Sequence, residues 1–310
     1  MKDERLFDCL VIGAGPCGIG AALDLHKNGF KVAIIERDAP GGKINIAPRV
    51  DNYPHHAPIS GPDLAVEFYN RILENNVEFI GEEVLSLTKE ENIFYLECSY
   101  NQYQAKTVLI ASGTKERKLG LPHEDELFGH GLSYCAVCDG HFFKEQDVLV
   151  IGGGNTALKE AIFLTDIVNH IYLIHRRNEF RGNTKLVNEL LEHKNAEILT
   201  PYVPIEFIGE DKLTGVKIQN VETKEEKILN VQGVFPLVGQ LPNNQFIKIE
   251  GVTNEWGTIP VDRGMKTAVD GLYAGGDILP RDIRQIYLAE HDGMTASKSI
   301  QQYLMENYHD

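Results

Sequence analysis

The feature that most constrains the fold of this chain is a unit that occurs twice: an apolar strand, a glycine-rich turn, a helix and a second strand. The predicted segments are residues 8–13, 16–28 and 31–35 in the first copy and 147–151, 155–166 and 170–174 in the second. Strand, helix and strand in this order form parallel sheet, which predicts an α/β fold class. Two copies predict two Rossmann-like, doubly wound nucleotide-binding domains.

The two predicted domains are not consecutive. A doubly wound sheet needs more strands than residues 1–115 obviously supply, and we expect residues 258–277 with a helix at 285–305 to be the missing remainder. We therefore expect residues 118–244 to form a domain inserted into one made of 1–117 and 245–310. The crossings at 113–118 and 239–244 are rich in turn formers and polar residues, which suits exposed connections and a hinge.

Composition limits the partners and the compartment. The chain has 310 residues and a formal net charge of -15, so its overall field repels nucleic acid and anionic membrane surfaces. The charged start lacks the apolar core of a signal peptide, and no apolar run reaches the length of a membrane span. The 5 cysteines are too few and too scattered for a secreted disulfide framework. We expect a cytoplasmic protein that binds neither nucleic acid nor membrane.

The first glycine motif is Gly13-x-Gly15-x-x-Gly18, between the predicted strand and helix. Its glycines permit a tight turn, a close approach of the backbone to a pyrophosphate, and close packing of the helix on the sheet. Glu36 ends the second strand, where a carboxylate accepts hydrogen bonds from ribose hydroxyls. The motif predicts a dinucleotide site rather than a structural turn.

The second motif, Gly152-x-Gly154-x-x-Ala157, ends its unit differently. Instead of an acidic residue, the second strand is followed by His175, Arg176 and Arg177, and then by Arg181. Guanidiniums bind a 2′-phosphate, which a carboxylate would repel. This domain is therefore predicted to prefer NADPH to NADH. The alternative is a solvated basic surface.

Between the glycine motifs lies a Cys-x-x-Cys pair, Cys135 and Cys138, followed by Asp139. A zinc site usually needs a second pair of ligands at matching spacing, and none is evident, so we predict no metal. Two thiols at this spacing can form a reversible disulfide. Asp139 could give a proton to the leaving thiolate, or it could cap a turn.

A late segment places Gly276 and Asp277 at the end of a predicted strand, followed by Arg284 and Gln285. In isolation it could be a turn before a helix. Because it lies in the part assigned to the first domain, we interpret it as a second clamp on the nucleotide bound there.

In order, and over essentially the whole chain, these motifs resemble those of the low-molecular-weight bacterial thioredoxin reductases. The matching pieces are GAGPCG at 13–18, GG at 41–42, NYP at 52–54, ISGP at 59–62, LGLP at 119–122, CAVCDG at 135–140, GGGNTA at 152–157, HRRNEFR at 175–181, AGGDI at 274–278 and RQ at 284–285. Together they are far more specific than a single glycine motif.

The resemblance implies a homodimer in which the discontinuous domain binds FAD and the inserted one binds NADPH and carries the dithiol. Electrons would pass from NADPH to FAD, to the Cys135–Cys138 disulfide and to thioredoxin. Cys138 would face the flavin, Cys135 would attack thioredoxin, and Asp139 would be the acid.

The implied FAD-binding residues are Gly13, Gly15, Pro16, Gly18, Glu36, Arg37, Gly41, Gly42, Lys43, Asn52, Gly113, Gly276, Asp277, Arg284, Gln285 and Ile286. The implied NADPH-binding residues are Gly152, Gly154, Asn155, Thr156, Ala157, His175, Arg176, Arg177 and Arg181.

The chain departs from the family pattern at two places near the expected flavin. Lys43 stands where glutamine is usual, and residues 287–291 (YLAEH) replace a run of small residues. Tyr287 or His291 could stack near the flavin, or the segment could simply be bulkier.

Two other functions compete with this prediction. A relative that takes electrons from another donor, such as ferredoxin, or that oxidises dithiols of small molecules, typically lacks the second glycine motif and the arginines, both of which this chain has. A non-catalytic, redox-sensing nucleotide-binding protein is less compatible with both cysteines and Asp139.

Overall fold

The computed structural model describes residues 5–47, 49–54, 56–281 and 283–308 of the protein. Numbered along the chain, the strands are β1 Leu6–Ile12, β2 Val32–Ile35, β3 Glu78–Ile80, β4 Val84–Glu90, β5 Ile93–Cys98, β6 Gln102–Ile110, β7 Thr114–Glu116, β8 Asp147–Ile151, β9 His170–Ile174, β10 Ala196–Leu199, β11 Tyr202–Ile208, β12 Gly215–Asn220, β13 Glu226–Leu229, β14 Gly233–Pro236, β15 Gln240–Pro242 and β16 Leu272–Ala274. The α-helices are α1 Pro16–Lys27, α2 Gly61–Glu74, α3 Ala136–Asp139, α4 Asn155–Thr165, α5 Thr184–Glu192 and α6 Ile286–Tyr308. Short 3₁₀ helices lie at Gly42–Ile46, Gly140–Phe143 and Gly276–Ile278.

The chain separates into two compact units. The first, called unit 1, consists of Met1–Lys115 and Leu241–Asp310, and the second, unit 2, is Glu116–Gln240. The strands β7 and β15, where the chain passes from one unit to the other, pair in a two-stranded sheet.

Unit 1 is built on a sheet in the order β3-β2-β1-β6-β5-β4, with β16 paired to β6. The pairs β1 with β2, β1 with β6, β2 with β3 and β6 with β16 are parallel, whereas β4, β5 and β6 form an antiparallel meander. Because β16 and α6 come from the end of the chain, its two distant parts build one sheet and its covering helices.

Both faces of this sheet are covered, so its central strands are continuous apolar runs. Alternate residues of β1 enter two separate cores: Cys9 and Val11 pack with α1, α2 and α6, and Leu10 and Ile12 pack on the opposite face. The predicted first copy of the repeated unit lies here as β1, α1 and β2.

Helix α1 begins at Pro16, whose fixed φ and missing N–H suit the first helical position. It is followed by Gly29 at φ 84°, a backbone conformation that favours glycine. On α6, a Cβ at Gly293 would lie 2.1 Å from the Cys17 carbonyl oxygen. The close crossing of α1 and α6 therefore requires glycine at that position.

Unit 2 contains the second copy of the repeated unit as β8, α4 and β9. Its parallel sheet has the order β10-β9-β8-β14, and β11, β12 and β13 form a separate antiparallel sheet. One core packs the parallel sheet with α4 and Ala136 of α3, and another packs it with the antiparallel strands. The predicted α/β fold class with two glycine-turn units is confirmed.

None of the helices in the described ranges is both long and apolar enough to cross a membrane. Over the same residues, no cluster of three or more His, Cys, Asp or Glu side chains could hold a metal ion.

Candidate functional sites in the two units

The glycine turn of unit 1 joins β1 to α1. A Cβ at Gly13, whose φ is 107°, would lie 2.4 Å from the Ala111 carbonyl oxygen, and one at Gly18 would lie 2.0 Å from the Gly13 oxygen. Gly15 is different, because a Cβ there would meet nothing within 4 Å in the described structure. Gly13 and Gly18 thus serve close packing, and Gly15 leaves open space at the start of α1, where N–H groups and the helix dipole favour a phosphate.

Glu36 follows β2 and is fixed against this turn. One carboxylate oxygen accepts the N–H of Ala14 at 2.9 Å, and the other accepts the N–H of Asp38 at 2.9 Å. Each oxygen retains a lone pair that can accept a ribose hydroxyl. Arg37, the neighbouring predicted residue, instead binds Asp38 and Glu83 at 3.0 and 2.9 Å.

The next loop lies against the glycine turn. Gly41, at φ 108°, donates its N–H to the Ala14 oxygen at 2.7 Å, and a Cβ on Gly42 would lie 3.5 Å from Gly15 Cα. Lys43 Nζ donates to Thr114 Oγ1 at 2.9 Å and lies 3.7 Å from Asp277 Oδ2. A lysine at this position therefore brings a positive charge to the predicted second clamp, which the usual glutamine cannot do.

Other predicted residues also come together in unit 1. Asn52 Nδ2 donates to Gln285 Oε1 at 2.9 Å, across a long separation in the sequence. Arg284 Nε donates to the Asp277 carbonyl oxygen at 3.4 Å, and Ile286 is the first residue of α6. Gly113, at φ 62°, accepts the Asn243 N–H at 3.0 Å.

The sequence analysis missed Asp292 and Arg281, which hold the Gly276 turn. Asp292 is 3% exposed, and its Oδ2 accepts the Gly276 N–H at 2.8 Å and faces Arg281 Nη2 at 2.8 Å. The Gly276 backbone has φ 77°. Asp292 lies within α6 and outside the predicted motifs, so no local pattern marks it.

In the departure at 287–291, the Glu290 side chain makes two polar contacts. Its carboxylate accepts Tyr53 Oη at 2.7 Å and Arg71 Nη1 at 3.1 Å. Burial and the adjacent Glu290 raise the pKa of Tyr53 to about 12. Tyr287 and His291 are exposed.

The glycine turn of unit 2 joins β8 to α4 in the same way as in unit 1. A Cβ at Gly152 would lie 2.5 Å from the Leu237 carbonyl oxygen, whereas one at Gly154 would meet nothing within 4 Å in the described part of the chain. Asn155 and Thr156 open α4, and Ala157 is buried in the core. Asn155 Oδ1 accepts the Asn183 N–H at 2.8 Å.

The segment after β9 folds back onto this turn. The N–H groups of Arg181 and Gly182 both donate to the Gly153 oxygen, at 2.9 and 3.0 Å. Arg176, Arg177 and Arg181 are exposed, and within the described ranges their guanidiniums make no ion pair or side-chain hydrogen bond. Three guanidiniums beside an open glycine turn could hold a phosphate through charge-assisted hydrogen bonds.

His175 lies at the same place but is buried. Its ring stacks on Phe180 at 5.2 Å, and a Cβ on Gly153 would lie 2.3 Å from it. Burial and the three neighbouring arginines lower its pKa, which favours the neutral ring. Packing of the glycine turn thus depends on His175.

The Cys-x-x-Cys pair of unit 2 forms a disulfide across the start of α3, with the Cα atoms 5.3 Å apart. Cys135 Sγ accepts the Cys138 N–H at 3.2 Å. Ser133 is buried; its hydroxyl accepts the Cys135 N–H at 3.1 Å and donates to Asp139 Oδ2 at 2.6 Å. Asp139 is thereby connected to the dithiol through a hydrogen-bond chain.

Glu160 on α4 is a second carboxylate near the dithiol, and the sequence analysis did not identify it. Its Oε2 accepts the N–H of Ala136, between the two cysteines, at 2.7 Å. Burial raises the pKa of Glu160 to about 7. Its only sequence signal is its position on the helix that follows the second glycine motif.

Comparison with known proteins places this chain in a family. The pyridine nucleotide-disulphide oxidoreductase family matches residues 7–293. Thioredoxin reductase of Bacillus subtilis (strain 168) is 34% identical over 307 residues, which cover 99% of this chain and 97% of the relative. Thioredoxin reductase of Ureaplasma parvum serovar 3 is 35% identical over 306 residues, covering 98% of this chain and 99% of that protein.

A solved structure is also similar over its full length. The crystal structure of thioredoxin reductase from Streptococcus pyogenes MGAS5005 has a TM-score of 0.91 and 38% identity, covering 98% of this chain and 100% of that one. The fold and sites define a two-nucleotide oxidoreductase of the disulfide-reducing class. The chain belongs to the pyridine nucleotide-disulphide oxidoreductase family. The predicted reaction class and the predicted cofactors, FAD and NADPH, are confirmed.

Proposed function

We propose that the protein uses NADPH to reduce the disulfide of a thioredoxin, through FAD and the Cys135–Cys138 pair. The chain is a thioredoxin-disulfide reductase. The observation that carries the residue assignment is the disulfide in unit 2, which also contains an open glycine turn and three exposed guanidiniums.

Unit 1 is the proposed FAD domain. The start of α1 and Gly15 would hold the pyrophosphate, since this end has open space and, among the described residues, no side-chain cap. Glu36 would accept the ribose hydroxyls, and the Gly276–Asp277 turn would supply the second clamp. Bound there, FAD supplies two-electron chemistry between NADPH and the disulfide.

Unit 2 is the proposed NADPH domain. Gly154 and the start of α4 would receive the pyrophosphate, and Arg176, Arg177 and Arg181 would bind the 2′-phosphate. Support comes from the exposure of these guanidiniums and from the hydrogen bonds that attach their segment to Gly153. In this proposal, the 2′-phosphate of NADPH is the ligand of this basic surface.

The dithiol performs the exchange with the substrate. Once reduced, Cys135 Sγ attacks the substrate disulfide, one substrate sulfur leaves, and Asp139 gives that thiolate a proton. Cys138 Sγ then attacks Cys135 Sγ, which re-forms the enzyme disulfide and releases the second substrate thiol. Two electrons and two protons reach the substrate in each cycle.

We also propose that the protein is a homodimer in the cytoplasm. On α2, Val66 and Leu73 are seven residues apart, so they lie on one helix face, and they are 56% and 53% exposed. The cysteines outside the disulfide, Cys9, Cys17 and Cys98, are buried free thiols, as suits a reducing compartment. Sedimentation of the purified protein should give twice the 34.7 kDa mass of one chain.

The test is an anaerobic titration of Cys138→Ser, with Cys98→Ala as the control that removes a thiol outside the dithiol. In the parent and the control, NADPH should bleach the flavin and oxidised thioredoxin should restore its colour. In Cys138→Ser, NADPH should still bleach the flavin, but thioredoxin should not restore it. Substantial thioredoxin turnover by Cys138→Ser would show that the dithiol assignment is wrong. If reduced ferredoxin bleaches the flavin of the parent and NADPH does not, ferredoxin is favoured as the electron donor.

A further inference from the structure

The backbone N–H groups that begin α3 are divided between two acceptors. The N–H of Ala136 donates to Glu160 Oε2 at 2.7 Å. The N–H of Val137 also lowers the pKa of that carboxylate. The N–H of Cys138 donates to Cys135 Sγ at 3.2 Å. A carboxylate from α4 is therefore held against the two residues that separate the redox cysteines.

This arrangement opposes the formation of a thiolate. Backbone N–H groups at the start of a helix normally stabilise a cysteine thiolate, which is one reason why Cys-x-x-Cys thiols are acidic. Here Glu160 occupies the Ala136 N–H and adds a negative charge beside the pair. A like charge close to an ionisable group disfavours its negative form.

Glu160 also changes its own charge near neutral pH. Burial raises its pKa to about 7, the N–H groups of α3 act in the opposite direction, and Glu116 adds a further increase through its negative charge. The other charged or titratable residues on the α-helices and strands packed against α4 are Cys138 and Asp139 on α3, Asp147 on β8, His170 and Tyr172 on β9, and Lys185, Glu189 and Glu192 on α5.

We propose that Glu160 is a positioning residue that holds the backbone between the cysteines and, when ionised, keeps the reduced pair protonated. Reduction breaks the S–S bond and adds two electrons, which the flavin supplies, and each sulfur then carries a proton or a negative charge. An ionised Glu160 favours the protonated form and so makes the disulfide harder to reduce in alkaline solution. The inference rests on the proposed role of the Cys135–Cys138 dithiol.

The experiment compares the parent with Glu160→Gln, which keeps an acceptor oxygen for the α3 backbone but removes the charge. Both proteins are reduced anaerobically with dithiothreitol, and the alkylation rate of Cys135 by iodoacetamide is measured from pH 5 to 10. In the variant, the thiolate should appear at a pH lower by about one unit, as expected for loss of a like charge.

The same two proteins are equilibrated with the dithiothreitol redox couple. At pH 9 the variant should favour the dithiol by about tenfold more than the parent, which corresponds to about 30 mV. At pH 6 the two should converge, because Glu160 of the parent is then largely protonated. Neither measurement uses NADPH or thioredoxin. A negative result here would therefore contradict the role of Glu160 without contradicting the proposed function, which the turnover assay tests.

The matched control is Glu189→Gln, which removes one negative charge from an exposed position on α5. Its alkylation profile should coincide with that of the parent. If Glu160→Gln holds FAD and its profile also coincides with the parent, the proposal is overturned. If that variant does not fold, the parent alone decides: its profile must require two ionisations, the lower near pH 7, and a single ionisation refutes the proposal.

Discussion

Replacing Asp292 should destabilise unit 1 and loosen its hold on FAD. The Asp292 carboxylate is buried, accepts a hydrogen bond from the Gly276 N–H at 2.8 Å and forms an ion pair with Arg281 Nη2 at 2.8 Å. Removing one partner of a buried ion pair typically costs about 3–5 kcal/mol. The Arg281 side chain is 24% exposed, so water relieves part of that cost and the lower end, about 3 kcal/mol, applies.

For a domain of 150–250 residues, a loss of about 3 kcal/mol lowers the melting temperature by roughly 6–12 °C. Asp292→Asn should cost about half as much, because its amide oxygen can still accept the Gly276 N–H. The assay is thermal unfolding followed by circular dichroism, together with the FAD that remains bound after gel filtration.

Asp270→Ala, at an exposed position, is the matched control and should change stability by no more than about 0.5 kcal/mol. Because Asp292 fixes the Gly276 turn, its alanine variant should also release FAD more readily than the control does. An Asp292→Ala protein that melts within 2 °C of the parent and retains its FAD would refute this reasoning.

Two further predictions concern cofactor choice and pH. Replacing both Arg176 and Arg177 by Ala should lower kcat/KM for NADPH by about 100-fold and change that for NADH little; an unchanged NADPH preference with a raised KM for thioredoxin would instead indicate a docking surface. Hydrogen bonds lower the pKa of buried Glu82 despite its burial, so its contribution to stability is present above the unfolded pKa and lost as pH falls through the folded value. Glu82→Gln should therefore cost about 1–3 kcal/mol at pH 7 in urea unfolding, the difference should vanish in acid, and exposed Glu74→Gln should show neither effect.

Much of the candidate site could be predicted because its constraints are local in sequence. Gly13 and Gly18 are required where the backbone turns and packs within a few residues, and such requirements leave a readable spacing. Cys135 and Cys138 are close enough along the chain to form one small ring. The charge that follows each second strand, Glu36 in one copy and arginines in the other, similarly requires no knowledge of packing.

Other features could not be predicted, because distant segments had to be brought together first. Asp292 reaches Gly276 from the first third of α6, and Glu160 reaches Ala136 from α4. The ring of His175 was predicted only as part of a nucleotide motif, and the fold also packs it against Gly153.

The sequence by itself therefore determined the α/β class, the repeated nucleotide-binding unit and the redox pair, since strand period, turn glycines and ring closure act over a few residues. Only the tertiary structure decided which carboxylates surround those groups and how far the pKa values of those carboxylates are shifted. The pKa of Glu160 depends on burial, on the N–H groups of another helix and on the charge of Glu116. Burial and charge act through space, and a linear pattern does not record which segments become neighbours.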